Sequence, residues 1–231
     1  MQIFYQSELP NVNYLEPEES KHCIKVLRKQ LGDEIQIIDG KGTFYKAKIS
    51  NVNHKKCEFE VFEKINDKKP TIHRHLAIAP TKNLDRMEWL VEKATEIGID
   101  EISFLECQNS ERNILKLDRL EKKVVSAMKQ SIKAYQPRLN ELRKFKDFIS
   151  SPNAKNKYIA FVDFDNPLHF KTQLRKQEDA LILIGPEGDF TKEEIELARQ
   201  NGFVSVSLGN SRLRTETAGI VAIHLMNLGE E

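Results

Sequence analysis

The stretch LILIGPEGDF at residues 181–190 runs from four apolar residues into a turn with two glycines, a proline and two acids. A strand that leads through a glycine-rich turn into a helix often binds phosphate, provided that the backbone N–H groups at the helix start are free. Thr191 and Glu194 instead have the spacing of a capping box, in which each side chain accepts the other residue's backbone N–H. Pro186 has no N–H, and the pattern G-x-G-x-x-G is absent. The stretch therefore predicts a turn that does not bind phosphate.

Glu187 and Asp189, the two acids of this turn, would repel an anion and attract a neutral or positively charged ligand. The turn is expected just beyond the carboxyl end of a strand, where open α/β sheets bind their ligands. A plain strand-to-helix turn with both acids in solvent has the same pattern. The residues by themselves leave both interpretations open.

A second junction, SLGNSRLRTETAGIVAI at 207–223, also leads from an apolar strand through a glycine turn into a helix. Glu216, in the first helical turn, complements the helix dipole. Arg212 and Arg214 do not, because cations are unfavourable at a helix N-terminus. A neighbouring anion must compensate them, such as Glu216, Glu187 or a phosphate or carboxylate of a ligand. This conflict between local preference and sequence is typical of functional sites.

The elements that must position these residues change in character near residue 66. Before it, short segments with period-two alternation and one helical segment at 17–29 predict a small barrel or sheet of antiparallel strands. The polar, proline-containing stretch 66–74 is expected to be a linker. We therefore expect two domains, at 1–70 and 71–231. The expected strands of the first domain are 2–6, 34–39, 43–50 and 56–65.

Beyond the linker, apolar runs alternate with helical patterns, which predicts an α/β domain over a mostly parallel sheet. The expected strands are 75–79, 102–106, 157–163, 180–185 and 203–208, and the expected helices are 84–97, 117–135 and 215–228. The last helix is apolar nearly all round. A helix without a polar face is buried, either within its own domain or against a second copy of the chain.

The composition is that of an ordinary globular protein, with 39% apolar and 31% charged residues. No apolar run approaches the ~20 residues that span a bilayer, and the N-terminus lacks the pattern of a signal peptide. Three scattered cysteines without a Cys-x-x-Cys pair indicate a reducing, cytoplasmic setting without disulfides and without a metal site.

The charges are unevenly distributed along the chain, and residues 112–146 form a basic stripe. The net charge of the chain is +1, yet residues 112–146 hold eleven Lys and Arg against three acids, a local charge of +8. A segregated basic stripe can bind phosphates even in a protein that is nearly neutral. A solvated helix face has the same composition, so both interpretations stay open.

The two junctions together resemble one family. IGPEG with Phe190, followed by LGNSRLRTETA at 208–218, is similar to the RsmE family of small-subunit rRNA methyltransferases, which belongs to the SPOUT class. Further similar segments are LDRMEWLVEKATEIGI (84–99), SER (110–112), QS (130–131), His22 with VLR (26–28), and GDEIQIIDGKG (32–42). The resemblance therefore covers nearly the whole chain.

The resemblance implies a fold and a reaction. The fold would be a knotted, SPOUT-type parallel-sheet methyltransferase domain preceded by a small PUA-like β-barrel that binds RNA. The reaction would be methylation of N3 of a uridine in 16S rRNA with S-adenosylmethionine, which would be held by the loops after 161–164, at 184–188 and at 208–214. The family is homodimeric with its last helix in the interface, and here that helix is 215–228.

The resemblance also implies roles for individual residues. Uracil N3 carries a proton, so Glu187 or Glu216 is expected to be the base, and Arg214 to stabilise the uracil oxygens. The residues expected to bind the cofactor are Val162, Ile184, Gly185, Pro186, Glu187, Gly188, Leu208, Gly209, Leu213, Thr215, Thr217 and Ala218. The residues expected to contact RNA are Lys21, His22, Lys25, Arg28, Arg86, Arg112, Lys133 and Arg138.

The chain departs from the family at several of these positions. The family more often has glycine at Asp189, Pro-Arg-Ile at Asn210, Ser211 and Arg212, and arginine at Lys133. Two alternatives therefore accompany the main interpretation. One is a SPOUT enzyme that methylates tRNA or a ribose 2′-OH, and the other is an RNA-binding ribosome-assembly factor without catalytic activity. For Glu216, a salt bridge to Arg214 is the alternative to a role as base.

Overall fold

The computed structural model describes residues 2–68, 71–150, 154–163, 168–175 and 177–228. The chain divides into two compact units, and each is described by itself. Unit 1 comprises Met1–Lys69 and Val125–Gln136, and unit 2 comprises Pro70–Val124 and Pro137–Glu231. Among the described residues, no helix has both the length and the apolar character needed to cross a membrane.

Ten strands and seven α-helices make up the described part of the chain. The strands are β1 (Ile3–Tyr5), β2 (Glu34–Ile38), β3 (Thr43–Asn51), β4 (Glu58–Asn66), β5 (Arg74–Ile78), β6 (Glu101–Glu106), β7 (Arg138–Lys144), β8 (Asn156–Ala160), β9 (Ala180–Ile184) and β10 (Val204–Val206). The helices are α1 (Pro17–Lys21), α2 (Leu84–Ile97), α3 (Leu117–Ser131), α4 (Phe145–Ile149), α5 (Phe170–Gln173), α6 (Lys192–Gln200) and α7 (Thr215–Leu228).

Unit 1 contains a four-stranded sheet in the order β1-β2-β3-β4. The β2–β3 and β3–β4 pairs are antiparallel, as the alternating pattern predicts, and their inward side chains build a core that includes Ile37, Ala47 and Phe59. Strand β1 differs, because it pairs with β2 in parallel, with Ile3 opposite Gln36. The expectation of antiparallel strands throughout is wrong here. A parallel neighbour requires a long crossover, and the residues between β1 and β2 provide it.

The helix expected at 17–29 is shorter than predicted and is not a single α-helix. Helix α1 ends at Lys21, and His22–Val26 form a π-helical turn. In this turn the backbone N–H of Leu27 donates to the carbonyl oxygen of His22 at 3.0 Å, five residues back. A π-turn contains an extra residue, so it rotates the following side chains relative to the α1 face. Side-chain periodicity cannot reveal such an insertion.

Unit 2 contains a parallel six-stranded sheet in the order β10-β8-β9-β5-β6-β7. Helices α2 and α7 have the bounds that the sequence predicts, 84–97 and 215–228. The expected α/β domain over a parallel sheet is confirmed. Strand β9 is buried along its whole length, in agreement with its uninterrupted apolar run.

Three elements of unit 2 were not expected from the sequence, namely β7, α4 and α5. Strand β7 lies at the edge of the sheet and carries mostly charged side chains, so it has no apolar run to reveal it. The helix predicted at 117–135 ends earlier, at Ser131. It ends there because Ile132 adopts a left-handed φ of 56° and the N–H of Lys133 bonds to the carbonyl oxygen of Met128 at 3.0 Å.

Helix α7 packs closely against the sheet at Gly219. A Cβ atom at this position would lie 2.9 Å from Leu90 Cδ1 of α2 and 3.1 Å from Ile78 Cδ1 of β5. Ala222 and Ile223 of the same helix are fully buried. The helix is therefore buried on one side within its own unit, and its opposite side is only partly covered.

A polar cluster occupies the sheet end opposite to the carboxyl ends of the strands. Asn140 Nδ2 donates to Ser103 Oγ (2.8 Å) and to Glu101 Oε1 (2.5 Å), and Ser103 Oγ also forms a hydrogen bond with His75 Nε2 (2.8 Å). Burial lowers the pKa of His75 to about 4. His73 Nε2 lies 3.2 Å from Glu101 Oε2, and this hydrogen bond raises the pKa of His73 and lowers the pKa of Glu101 to about 2.

The His75→Gln variant is expected to lose much of the pH dependence of stability between about pH 6.5 and 4. The folded chain keeps His75 neutral down to a pKa of about 4, while the unfolded chain binds this proton near 6.5. The wild-type protein therefore loses stability as the pH falls through this window, by an amount on the order of 2–3 kcal/mol.

Glu101 does not contribute to this loss near pH 6, because a depressed carboxyl pKa removes stability only as the pH falls from about 4.5 toward 2. The raised pKa of His73 has the opposite effect on stability. Its contribution to the free energy of unfolding is complete below pH 6.5 and is lost as the pH rises. Urea unfolding at about pH 7, 5.5 and 4.5 measures the difference. Equal pH slopes for wild type and variant would show that His75 is not the responsible group.

Candidate active site

A cavity of about 510 Å³ lies in unit 2 at the carboxyl ends of three neighbouring strands, β10, β8 and β9. Its walls come from residues 160–163 after β8, from the turn after β9 and from residues 207–215 after β10, together with Arg86 and Ala218. The expected loop after 161–164 leaves the described residues at Phe164. Both the volume and the position are those of a small-molecule site in a parallel sheet.

The turn after β9 does not present free N–H groups at the start of α6. Thr191 Oγ1 accepts from the N–H of Glu194 (3.2 Å), and Glu194 Oε2 accepts from the N–H of Thr191 (2.9 Å), so the predicted capping box is confirmed. Phe190 and Ile195 pack in one hydrophobic cluster beside it. The helix start is therefore occupied by its own side chains, as the sequence indicates.

Hydrogen bonds from two other loops hold this turn in place. Asn109, after β6, donates from Nδ2 to the carbonyl oxygens of Gly188 (3.1 Å) and Asp189 (3.0 Å). The backbone N–H of Lys82, after β5, donates to Glu187 Oε1 at 3.1 Å. The shape of the pocket wall thus depends on a side chain, that of Asn109, and on a backbone N–H, that of Lys82, and both lie outside the motif.

The walls of the pocket carry charges of both signs. The acids are Asp163, Glu187 and Asp189, and the bases are Arg86, Arg212 and Arg214. The Arg214 side chain is exposed, and it makes no hydrogen bond or ion pair with the residues that the structure describes. Its guanidinium is therefore available to a ligand or substrate at the pocket rim.

Glu216 is buried in the first turn of α7 and does not line the pocket. Its Oε1 lies 3.7 Å from Nε of Arg86, so its ion-pair partner is Arg86 and not Arg214, the partner considered in the sequence analysis. Its Oε2 is buried without a hydrogen-bond partner among the described residues. Unpaired buried carboxylate oxygens are costly and mark positions where a ligand or water completes the bonding.

Most of the residues expected to bind a cofactor meet at this pocket. Ten of the twelve line it, and the exceptions are Gly188 and Thr217. The ten are Val162, Ile184, Gly185, Pro186, Glu187, Leu208, Gly209, Leu213, Thr215 and Ala218. Of the expected catalytic residues, Arg214 and Glu187 line the pocket, and Arg86, expected to contact RNA, lines it as well.

Phe161 and Asp163 line the pocket but were not predicted to do so from the sequence. Both lie within the strand predicted at 157–163, but the observed strand ends at Ala160, so they belong to the segment that follows it. The sequence predicts that Asp189 lies in a turn able to face a ligand, but nothing in it indicates that the side chain reaches the segment after β8.

Five of the eight residues expected to contact RNA lie in unit 1. Lys21, Lys25 and Arg28 are exposed, whereas His22 and Lys133 are partly buried. Lys21 ends α1, Lys25 lies in the π-helical turn, and Arg28 has a left-handed φ of 55°. These side chains, with Lys29, therefore do not form the single α-helical stripe that a regular helix over 17–29 would give.

In unit 2, several members of the basic stripe have partners within the protein. Arg112 donates from Nε to the carbonyl oxygen of Thr81 (3.1 Å) and from Nη2 to that of Lys82. Arg119 and Lys123 pair with the buried Glu88. Arg138, at the start of β7, is exposed. The stripe is thus less available to phosphates than its local charge suggests.

Parallel strands with a ligand-sized pocket at their carboxyl ends define an α/β domain of the nucleotide- and cofactor-binding class. Comparison with known proteins makes this more specific. Residues 67–227 match the RNA methyltransferase domain family, and residues 15–62 match the RNA methyltransferase PUA domain family. The chain therefore belongs to the RNA methyltransferase family, within the group of ribosomal RNA small subunit methyltransferase E.

Individual relatives are similar over most of their length. The ribosomal RNA small subunit methyltransferase E of Mesomycoplasma hyopneumoniae is 32% identical over 70% of this chain and 72% of its own. A probable rRNA-methyltransferase from Porphyromonas gingivalis is 41% identical with a TM-score of 0.92, and 99% of each chain is covered.

A third relative carries a ligand. The ribosomal RNA small subunit methyltransferase E of Neisseria gonorrhoeae, solved bound to S-adenosyl methionine, is 27% identical with a TM-score of 0.86, over 99% of this chain and 97% of its own. The predicted family, and a methyltransferase domain preceded by a PUA-like domain, are confirmed.

Proposed function

We propose that this protein transfers the methyl group of S-adenosylmethionine to N3 of a uridine in 16S rRNA. The observation that carries the proposal is the pocket at the ends of β10, β8 and β9, which brings together the two junctions that contain Glu187 and Arg214. Membership of the rRNA methyltransferase family supports the substrate class.

The residues of the pocket fit S-adenosylmethionine. The cavity of about 510 Å³ is large enough for a ligand of this size. Asp163 and Glu187 suit the positive sulfonium and ammonium groups, and the arginines of the pocket suit the carboxylate. Backbone groups of Ile184, Gly185, Leu208 and Leu213 would hold adenine and ribose. A Cβ at Gly185 would lie 3.1 Å from Phe190 Cδ2, so glycine lets this turn pack closely on Phe190. When bound, the cofactor supplies an electrophilic methyl group.

The remaining chemistry falls to side chains of this chain. Arg214 would bind the uracil oxygens and stabilise the negative charge that develops when N3 loses its proton. Glu187 is favoured over Glu216 as the base, because Glu187 lines the pocket whereas Glu216 is buried behind Arg86. Glu216 would then hold Arg86 at the pocket wall.

We further propose the arrangement that the family resemblance implies. The two domains would divide near residue 70, with the basic side chains of the PUA-like domain contacting rRNA phosphates. The methyltransferase domain would be a trefoil knot, and two chains would associate through helix 215–228. The partly covered Ile220, Val221 and Leu225 on α7 support such an interface. With an rRNA substrate, the protein would act in the cytoplasm.

Purified protein, incubated with S-adenosylmethionine and small ribosomal subunits from a strain that lacks the gene, is expected to form N3-methyluridine. Nuclease digestion and mass spectrometry of the nucleosides measure it. A 2′-O-methylated nucleoside, or methylation of tRNA instead, would favour the other SPOUT activities. Calorimetry without any binding of S-adenosylmethionine would favour an assembly factor.

A pH series identifies the base. Glu187→Gln is expected to lower the single-turnover rate at least tenfold and to remove the acidic limb of the pH–rate profile. Glu216→Gln, its matched control, is expected to weaken methyl transfer without changing the shape of the profile. The reverse result would assign the base to Glu216.

A further inference from the structure

Asp189 has an unusual backbone conformation in the turn after β9. Its φ is 61°, in the left-handed region that residues other than glycine rarely adopt. The turn itself is closed by the N–H of Asp189, which donates to the carbonyl oxygen of Pro186 at 2.9 Å. A non-glycine residue in this conformation costs on the order of 1 kcal/mol, so its side chain must return some benefit.

Both carboxylate oxygens of Asp189 accept backbone N–H groups. Oδ1 accepts from Phe190 at 2.8 Å, within the same turn. Oδ2 accepts from Val162 at 2.9 Å, in the segment that follows β8. The side chain therefore connects two separate walls of the pocket, and hydrogen bonds to a charged acceptor are the stronger kind.

The bond to Val162 continues the sheet where its regular pairing stops. The last paired residues of β8 and β9 are Ala160 and Ile184, and the segments that follow them are not paired as strands. Asp189 replaces the missing ladder bond with a side-chain bond two residues past the end of β8. Without it, the segment at 161–163 would be fastened less firmly to the turn after β9.

We propose that Asp189 is a positioning residue that sets the separation of the β8 and β9 walls of the cofactor pocket. Its oxygens accept the backbone N–H groups of Phe190 and Val162, one from each wall, so it acts on the ligand through the segment around Val162. This inference rests on the proposed function, because the ligand whose affinity it tunes is S-adenosylmethionine. Preorganised walls raise affinity by reducing the ordering that binding requires.

Two substitutions at this position test the proposal. Asp189→Gly suits the left-handed conformation and removes both acceptors, and Asp189→Asn tolerates the conformation but can accept with only one atom. Both are expected to raise the Kd for S-adenosylmethionine about tenfold by calorimetry. Thr191→Ala, which removes the cap of α6 and does not line the pocket, is the control for a general loss of stability.

A second measurement works without cofactor. Amide hydrogen exchange at Val162 is expected to accelerate in Asp189→Gly and to stay unchanged in Thr191→Ala. Wild-type Kd in both Asp189 variants, or an equal rise in Thr191→Ala, would overturn the positioning role. If the wild-type protein did not bind S-adenosylmethionine, the proposed function would fail. The rate of amide hydrogen exchange at Val162 would still decide whether the bond to Asp189 holds the two walls together.

Discussion

Arg214→Ala is expected to lower the single-turnover rate of methyl transfer about 100-fold and to leave the Kd for S-adenosylmethionine within about threefold. The Arg214 side chain is exposed at the pocket wall without an ion pair or hydrogen bond to any described residue. Its removal therefore takes away a donor for developing negative charge without breaking a bond that holds the fold. Loss of one such donor costs roughly 10²–10³ in rate in well-studied enzymes. Rapid-quench assays with saturating cofactor and excess enzyme measure the chemical step.

Arg212→Ala is the matched control, because it removes the same charge from the same pocket-lining loop. If only the positive potential of the pocket matters, both variants will lose the same activity. A loss confined to Arg214→Ala indicates a specific contact with the uracil. Unchanged methyl transfer in Arg214→Ala would exclude the catalytic role proposed for this arginine.

Gly42→Ala is expected to destabilise the protein by about 2–5 kcal/mol. Gly42 has a φ of 103°, which costs an alanine roughly 1–2 kcal/mol. An added Cβ would also overlap the ring of Tyr135, and overpacking of this kind costs typically 1–3 kcal/mol. The contact lies within unit 1, where the N–H of Gly42 also bonds to the carbonyl oxygen of Ala134 at 3.0 Å. Urea unfolding measures the change.

Gly32→Ala separates the two causes. Gly32 has a φ of 84° in the same unit, but no atom lies within 4 Å of the Cβ position, so only the backbone cost of roughly 1–2 kcal/mol is expected. In a Tyr135→Ala background, the cost of Gly42→Ala should fall to that of Gly32→Ala. If Gly42→Ala costs no more than Gly32→Ala in the wild-type background, the ring does not limit this position.

The elements that could be predicted from the sequence are those whose burial produces a recognisable pattern of apolar residues. Strand β9 is buried on both faces and reads as an uninterrupted apolar run, and the bounds of α2 follow from its apolar edge and from Gly98 at its end. The capping box at Thr191 was predictable because both of its bonds are local. In each case a single segment contains the whole signal.

The elements that could not be predicted depend on residues far away in the chain. Strand β7 is charged and pairs only with β6, so its own residues do not reveal it. The π-turn at His22–Val26 changes the helix by one residue without changing its composition. The pairing of Arg86 with Glu216 arises because α2 and α7 pack on the same region of the sheet.

The candidate site shows the same division. The two junctions that form most of the pocket could be recognised from their motifs. For the third wall, the family resemblance indicates Val162 and the loop after 161–164. It does not indicate Phe161 and Asp163, because only the order of the strands brings the end of β8 between those of β9 and β10. The bond from Val162 to Asp189 depends on the same order.

The strand order also governs how the chain can fold as it is synthesised. Strand β5 is synthesised early, yet one of its two neighbours in the sheet is β9. Arg74 pairs with Ala180, which is synthesised about a hundred residues later. Until then one edge of β5 remains unpaired, which makes folding slow and exposes the nascent chain to aggregation. The strands that complete this sheet, β8, β9 and β10, are also those whose ends form the pocket. Closure of the sheet and competence to bind a ligand should therefore appear together, late in synthesis.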